Sequence, residues 1–362
     1  MPRYNRSISR RALLRSAVIG SSGLLAAYVV GCGDGDGGQQ PSPTATATPS
    51  STPTVSPAAL GWRRLSPAGP PPPARRDHSL VTNGQSLFLF AGRGEEVLAD
   101  LWSYDLLNGS WTQLTAGPPA RFGHNAIFDT AGGRLLIFGG QSSDAFFNDV
   151  WAYDVASGQW TDISPAGTAP STRYGAASAF DPAAGRFFVT HGFTGEGSRF
   201  DDTWAFTSAA WTKLDIQGAL PIRRCLMRAA WDPGVGRLFM FGGQTTGTPF
   251  LGDFWALEGN GWRELPGELK PSPRNFYAMA FDDEGGRLIL FGGDSEPGSV
   301  NDLWFFDSAS ETWSQQSPEG EAPSPRFGHD AAWLPTSHSL VIFGGNDDSQ
   351  DLDDLWELSV PV

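Results

Sequence analysis

From about residue 61 onward, the apolar residues occur in short runs and not in a helical pattern. Between residues 121 and 160, two such runs flank a turn rich in Asp and Gly, and the second run ends in Phe-Gly-Gly. A polar loop, Asn-Asp-Val-Trp and a final Trp complete this stretch. Each run is short, rich in β-branched and aromatic residues, and bounded by Gly, Asp or Asn. The stretch therefore predicts four short strands, and no segment of this region has a sustained helical period.

This stretch is one of six copies that continue to the C-terminus. Every copy has a leading Arg, a residue pair that is usually Gly-Gly, an Asp-x-Trp and a second Trp. The leading arginines, which are 46 to 52 residues apart, are Arg75, Arg121, Arg173, Arg224, Arg274 and Arg326. The pairs begin at Ala91, Gly139, His191, Gly242, Gly292 and Gly344. Twelve of the 14 Trp residues occupy the two Trp positions, so the repeat fixes where the largest side chains lie.

A four-stranded unit that repeats every 50 residues or so resembles the kelch family of β-propellers, which includes the galactose-oxidase-like propellers. The resemblance covers residues 61–360 and implies an all-β, six-bladed propeller with four-stranded blades. Small residues such as Ala126 and Ala331 suit the innermost strands, where the sheets converge. The last copy lacks a final Trp strand, whereas residues 61–65 precede the first copy. We expect this N-terminal strand to close the last blade and protect its edge.

Residues 1–32 are predicted to be an export signal and not part of the fold. Ser9-Arg10-Arg11 resembles the twin-arginine motif, and Val29-Val30-Gly31-Cys32 resembles the lipobox of bacterial lipoproteins. The first resemblance implies export by the twin-arginine route, with an ordinary secretory signal as the alternative. The second implies lipidation of Cys32, with an uncleaved anchor as the alternative. Residues 33–59, rich in Pro, Thr and Ser, are predicted to be a disordered linker, and residues 60–362 form the propeller.

The charge of the chain is unevenly distributed. Residues 1–31 contain five Arg and no acidic residue, which leaves 20 basic and 39 acidic residues, a balance of −19, from residue 32 onward. This acidity argues against nucleic acid as a partner and against membrane contact other than through the lipid anchor. Solubility is the simpler interpretation of the charge. The two cysteines, Cys32 and Cys225, do not predict a disulfide within the chain.

Candidate binding residues are those that differ among the copies on one face. We label the strands of a blade a to d from the axis outward; the d–a and b–c loops then share a face. The residue after each pair is expected to surround the mouth of the central channel. Two further residues break the repeat: His191 replaces a Gly, and Arg228 lies on a small innermost strand. The predicted ligand-binding residues are Arg93, Gln141, His191, Phe193, Arg228, Gln244, Asp294 and Asn346.

The features that recur in every copy are interpreted as structural. One Arg and one Asp per blade predict an Arg–carboxylate pair that joins the loops. His78, His124 and His329 also belong to the repeat. No cofactor or metal is predicted, because the Tyr and His pattern of copper radical oxidases is missing, and the acidic loop 347–354 has no recognisable Ca²⁺ motif.

Together these features predict a monomeric binding module for an extracytoplasmic protein or glycan, at the periplasm or cell surface. The alternative is a sugar-modifying enzyme of mutarotase or epimerase type, which needs one positioned acid–base pair; Asp294, Glu296, His191 or Arg228 could supply it. Convergence of these side chains in one pocket would favour the enzyme, whereas a scattered arrangement would favour binding. A third possibility, a purely structural surface protein, is favoured by a flat face without a pocket.

Overall fold

The computed structural model describes residues 59–207, 210–296 and 298–362. The predicted export signal, Cys32 and nearly all of the predicted linker lie outside the described residues. Six antiparallel sheets account for almost all the secondary structure, and successive sheets contact one another through their innermost strands. The predicted six-bladed, all-β propeller is therefore confirmed. None of the described helical segments is long and apolar enough to cross a membrane.

Each blade runs from an inner to an outer strand. Blades 1 to 3 consist of β2 Ser79–Thr82, β3 Ser86–Arg93, β4 Val97–Asp105, β5 Ser110–Gln113; β6 Asn125–Asp129, β7 Arg134–Phe138, β8 Val150–Asp154, β9 Gln159–Asp162; and β10 Ala177–Asp181, β11 Arg186–Thr190, β12 Thr203–Thr207, β13 Ala210–Lys213. Blades 4 and 5 consist of β14 Arg228–Asp232, β15 Arg237–Thr245, β16 Thr248–Glu258, β17 Gly261–Glu264; and β18 Arg274–Asn275, β19 Ala278–Asp282, β20 Arg287–Ser295, β21 Gly298–Asp307, β22 Thr312–Gln316. Blade 6 consists of β23 Asp330–Leu334, a 3₁₀ turn Pro335–Ser337, β24 Ser339–Phe343, β25 Leu355–Ser359 and the N-terminal strand β1 Gly61–Leu65.

The N-terminal strand closes the ring as predicted. β1 pairs antiparallel with β25 over five residues, and Trp62 lies opposite Leu358. The Trp62 ring is buried and packs against Phe291 of blade 5, with a centroid distance of 4.8 Å. The closing strand thus supplies both the backbone partner of β25 and a large side chain for the space between two blades.

The space between neighbouring blades is filled by the repeated side chains. His78, His124 and His329 are buried and pack edge-on against a strand-b Phe of the preceding blade. The ring centroids are 5.2–5.6 Å apart in these three contacts. This arrangement confirms the structural interpretation of the three histidines.

The second Gly of each pair permits close contact between strands a and b of its own blade. The N–H of Gly140 donates to the carbonyl of Arg173 in the next blade at 2.8 Å. At Gly140, φ is +90°, and a Cβ would lie 2.8 Å from the Cβ of His124. A larger residue would therefore be both strained and too close to its neighbour.

One end of the central channel is closed by a ring of backbone hydrogen bonds. The third residue of each copy has a positive φ, and its N–H donates to the carbonyl of the same residue in the preceding blade. The six residues, which we call the cap ring, are Asp77, Gly123, Gly175, Leu226, Phe276 and Gly328. Their N···O distances are 2.7–3.0 Å, and the sixth bond returns to the first blade. We call this end, with the d–a and b–c loops, the upper face; the a–b and c–d turns form the lower face.

The b–c loops are nearly equal in length but have two conformations. In blades 1, 4 and 5, strands b and c continue past the Gly pair as a hairpin, as in the pairing of Thr245 with Thr248. In blades 2, 3 and 6, the ladder ends before the pair and only isolated bridges follow, such as that of Gln141 with Phe146. The upper face therefore carries extended hairpins in three blades and loops with isolated bridges in the other three. The similar loop lengths in the sequence did not predict this difference.

Candidate functional site on the upper face

The upper loops are held by a buried Arg–Asp–Trp arrangement that occurs in every blade. In blade 2, the two terminal nitrogens of Arg121 donate to the carboxylate oxygens of Asp149 at 2.7 and 2.9 Å. Arg121 also donates to the carbonyl of Gly139 at 2.9 Å, and the Trp151 indole donates to Asp149 at 2.8 Å. The six leading arginines are at most 1% exposed. This bidentate pairing confirms the predicted Arg–carboxylate pair and explains why Asp and Trp are two residues apart.

The same contacts keep the Asp side chains ionised. Burial alone would raise the pKa of Asp100, but the hydrogen bonds from Arg75 and Trp102, together with the charge of Arg75, hold that pKa below its usual value. The pKa values of Asp202, Asp253, Asp302 and Asp354 are lowered by the equivalent contacts. These carboxylates are therefore fixed, ionised acceptors of the scaffold.

Four buried histidines are held in the neutral form. Burial lowers the pKa of His78, His124 and His329 well below the usual value, and nearby arginines lower it further. Burial and the charge of Arg224 lower the pKa of His191 to about 3. None of these imidazoles is therefore set up as a general base that exchanges protons near neutral pH.

The residue after each Gly pair is fixed by its backbone while its side chain varies. It pairs with the residue that follows the leading Arg of the same copy, as in the Arg76–Arg93 and Gln141–Phe122 bridges. We call these six residues the upper rim: Arg93, Gln141, Phe193, Gln244, Asp294 and Asn346. All except Asp294 are partly exposed. A constant backbone with different side chains is an arrangement suited to selective recognition.

The upper rim contains charged, aromatic and amide groups. Arg93 donates to Asp77 at 2.7 Å, and its guanidinium lies 4.5 Å from the centre of the Phe122 ring. Asn346 donates to Asp351 at 2.7 Å. Across these loops the surface can therefore offer cationic and anionic groups to a polar partner.

An apolar patch occupies the blade 2 and blade 3 part of the upper rim. Phe193 lies 6.1 Å from Phe146, measured between ring centroids, and the Arg199 guanidinium is 5.3 Å from the Phe193 ring. Phe146 and Phe193 are both partly exposed. Aromatic rings next to an Arg are the residue types most often found at the centre of protein interfaces.

The upper rim surrounds a closed cap and not an open channel mouth, which corrects our expectation. The cap ring joins all six blades, and the Tyr174 ring covers it, since a Cβ on Gly123 would lie 2.1 Å from that ring. A cavity of about 30 Å³, the size of one water molecule, lies at the cap, and its lining includes Tyr174, His78 and Arg228. The sequence did not reveal this closure, because three of its six residues are not glycine but still have positive φ.

Three predicted site residues are not at the surface where we expected them. His191 is fully buried; its φ is +60°, and its ring packs edge-on against Trp262 of blade 4. We expected His191 at the channel mouth, and this placement was wrong. The side chain at the first position of the Gly pair packs against the next blade. Arg228 lies below the cap and forms an ion pair of 3.5 Å with Asp330. Asp294 is only 9% exposed and pairs through its backbone with Asn275 and Ser299.

The four candidates for an acid–base pair lie in different environments. His191 is between blades 3 and 4, and Arg228 is inside the channel. Asp294 and Glu296 share a hairpin of blade 5, where Asp294 is buried and Glu296 is exposed at the turn. The scattered arrangement favours binding over catalysis. Within the described part of the chain, no group of three or more His, Cys, Asp or Glu side chains is placed to hold a metal ion.

Sequence reasoning missed a second opening, at the lower face. A pocket of about 340 Å³ lies in the channel there, lined by the small residues of the innermost strands. We call the outer ring of its lining the lower mouth: Thr82, Phe128, Phe180, Trp231, Phe281 and Trp333. Trp231 and Trp333 are the two Trp residues that do not fit the repeated Trp positions, and this exception was the available signal.

Fold and site together define a kelch-type β-propeller with a regular scaffold, a variable upper rim and a capped channel. Comparison with known families agrees with this class. The family model described as the KLHDC2/KLHL20/DRC7 Kelch-repeats domain matches residues 26–232 and 206–361. The chain belongs to this Kelch-repeat family.

Curated relatives share the repeats, two of them across most of the chain. A leucine-zipper-like transcriptional regulator 1 homolog from Drosophila melanogaster is 28% identical over 76% of this chain and 30% of its own length. Adagio-like protein 1 from Oryza sativa subsp. japonica is 26% identical over 83% of this chain and 52% of its own length. Dynein regulatory complex subunit 7 from Chlamydomonas reinhardtii is 37% identical over 37% of this chain and 12% of its own length. The chain spans about half or less of the length of these relatives, all of which are eukaryotic.

Proposed function

We propose that this chain is a protein-binding module that uses the upper face of its propeller. The observation that carries the proposal is the upper rim, in which a constant, hydrogen-bonded backbone presents a different side chain in each blade. The Arg–Asp–Trp scaffold beneath it is buried and repeated, so the loops are ordered before a partner arrives. Such preorganisation lowers the entropy cost of association.

The partner class follows from the chemistry of the upper face. The patch of Phe146, Phe193 and Arg199 provides an apolar and cationic anchor, and Arg93, Gln141 and Asn346 supply polar groups in other blades and in blade 2 of the upper rim. This combination resembles the core and rim of protein interfaces. The family also supports a protein partner, since one relative is named as a subunit of a dynein regulatory complex. A glycan partner is the alternative that the test below separates.

The test compares upper-face and lower-face variants of the purified propeller, residues 60–362. Phe193→Ala and Gln244→Ala alter the upper rim, whereas Leu107→Ser and Val235→Ser alter exposed apolar residues in lower turns. Each variant is used to capture proteins from solubilised envelope and is also applied to a glycan array. We expect one protein whose capture falls at least about tenfold with the upper variants only. Equal capture by all variants would contradict the use of the upper face, and glycan binding lost with Phe193→Ala would replace the protein by a carbohydrate.

We further propose that the propeller is held outside the cytoplasm by a lipid on Cys32, after export through the twin-arginine route. The support is the motif pattern at residues 9–11 and 29–32. The Cys32→Ser variant is expected to move from the membrane fraction to the soluble fraction of the envelope. The double variant Arg10→Lys, Arg11→Lys is expected to retain the precursor in the cytoplasm. A Cys32→Ser protein that stays with the membrane would contradict the lipid anchor.

A further inference from the structure

The lower end of the channel forms a pocket that the protein-binding face does not use. Its volume of about 340 Å³ is at the small end of the range for ligand sites. Alanines of the innermost strands, such as Ala179, Ala230 and Ala332, line its wall, and five of the six residues of the lower mouth are aromatic. The bore is therefore lined by apolar residues, most of them small, and the aromatic groups are concentrated at the entrance.

Three of the five aromatic rings of the lower mouth are held by stacking on a neighbouring blade. Phe128 stacks on Phe88 and Trp231 stacks on Phe188, each a strand-b residue of the preceding blade, at centroid distances of 5.6 and 5.3 Å. Phe281 stacks in the same way on Phe239 at 6.5 Å. One face of each of these three rings is thus covered by protein, and all three residues line the pocket. The Arg186 guanidinium lies 5.9 Å from the centre of the Trp231 ring, so the Phe rings are the ones available to a ligand cation. Four of the five rings are only partly buried.

Two charged residues directly precede alanines that line the pocket, at the end of the strands away from the lower mouth. Arg228 and Asp330 begin strands β14 and β23, and their ion pair of 3.5 Å bridges two blades that are not adjacent. They precede the aromatic residues by three positions, about 10 Å along a strand. A ligand at the mouth is therefore well separated from the Arg228 charge, which Asp330 also offsets.

The charge around the entrance is negative. The a–b turns and their flanking residues contain six acidic residues, Asp129, Asp181, Asp232, Asp282, Asp283 and Glu284, and four basic ones, Arg134, Arg186, Arg237 and Arg287, a balance of −2 before any His is counted. The four arginines all form ion pairs. Asp283 and Glu284, in the turn that follows Phe281, are exposed. The whole chain beyond residue 31 has a balance of −19, which attracts cations over a longer range.

We propose that the lower mouth binds a small organic cation of the alkylated ammonium class, with its charge among the aromatic rings and any neutral tail in the alanine-lined bore. Aromatic faces attract cations within about 6 Å, and desolvated ammonium groups gain the most from this contact. A neutral apolar ligand would contact the bore but gain nothing from the acidic residues around the lower mouth. An anion would be repelled by those acidic residues. The proposal is independent of the upper face and of its partner.

The test uses choline and its neutral isostere 3,3-dimethyl-1-butanol as probes, with isothermal titration calorimetry and saturation-transfer NMR on the folded propeller. Because the two probes have the same shape, any difference reports the charge. We expect choline to bind at least about fivefold more tightly than the alcohol. Equal binding of both probes, or binding of neither at millimolar concentration, would overturn the proposal.

Variants at the mouth locate the binding. Phe281→Leu keeps an apolar side chain but removes the ring, and Phe281→Tyr keeps the ring. We expect choline affinity to fall at least about threefold in the first variant and to stay near wild type in the second. If Phe281→Leu lowers the melting temperature, Phe180→Leu replaces it as the test variant. The Phe180 ring has no stacking partner among the described aromatic contacts, so its loss should disturb the fold less. Choline affinity that is unchanged in both Leu variants would place the cation elsewhere and sink the proposal.

Discussion

The two ends of the central channel are built from the same six strands but have opposite character. At the upper end, the chain of each blade turns through a positive φ and donates a hydrogen bond to its neighbour, so that the channel is closed. At the lower end, the residues that the structure describes form no such ring of hydrogen bonds around the channel, and aromatic side chains surround an opening into a pocket of about 340 Å³. The upper end is held by its backbone and the lower end by side-chain packing.

This difference separates the constant from the adaptable parts of the molecule. Because the buried arginines and the cap ring hold the upper loops, their outward side chains can vary without loss of fold. At the lower end the side chains themselves form the structure, so substitutions there change the pocket directly. The upper face is therefore suited to a partner of large contact area and the lower pocket to a small ligand.

Of the changes considered, loss of a buried arginine should lower the free energy of unfolding the most. Arg121→Met leaves Asp149 without its bidentate partner, whereas Arg134→Met removes a partly exposed pair with Asp129 near the lower face. We expect a loss of about 3–5 kcal/mol in the first case and about 0–1 kcal/mol in the second. Urea unfolding of both variants measures the contrast. Losses of similar size would mean that the upper scaffold is not the more strongly constrained end.

The cap ring should be less tolerant than the lower turns at glycines of the same backbone conformation. Gly123 and Gly133 have φ values of +59° and +61°. A Cβ on Gly123 would collide with the Tyr174 ring, but one on Gly133 would meet no atom within 4 Å. We expect Gly123→Ala to cost about 2–4 kcal/mol and Gly133→Ala about 1 kcal/mol in thermal or urea unfolding. Equal costs would show that the cap is not tightly packed.

The buried histidines should make the fold sensitive to acid. Their pKa values are lowered in the folded state, so the stabilisation is fully present above the unfolded value of about 6.5 and is lost as the pH falls toward the folded value. The unfolding free energy should therefore decrease from about pH 6.5 downward. His191→Gly, which restores the glycine found in four other blades, should reduce the proton uptake on unfolding by about one between pH 4 and 6.

Ala91→Gly is the matched control for the acid measurement. It makes the equivalent change in blade 1 without removing an ionisable group, so the pH dependence should stay the same. A pH profile of His191→Gly that superimposes on that of the wild type would show that His191 is not held neutral by the fold.

The repeat made most of the fold predictable. The register of Arg, Gly pair, Asp and Trp predicted six blades, the closing role of Trp62 and the Arg–carboxylate pairs, because identical packing requires identical residues. The cap was not predictable in the same way. Asp77, Leu226 and Phe276 adopt a conformation usually associated with glycine, and only the closure of the whole ring imposes it.

The candidate site was predictable only in part. Differences among the six copies identified the upper rim. They could not distinguish Phe193, which is partly exposed, from His191, which is buried. Both break the repeat, and the direction of the side chain depends on a φ value that the sequence does not reveal. The lower mouth was overlooked because its aromatic residues resemble ordinary strand residues, although Trp231 and Trp333 stood outside the repeated positions.

Site-specific photo-cross-linking tests the central claim most directly, namely that the upper face binds a protein. A photoreactive amino acid is placed at Gln141 or Gln244 on the upper rim, and at Leu107 or Val235 in the lower turns. Intact cells that produce each variant are irradiated, and the adducts are identified by mass spectrometry. We predict the same protein adduct from both upper positions and none of it from the lower positions. Adducts that form equally from both faces, or only from the lower turns, would contradict the account.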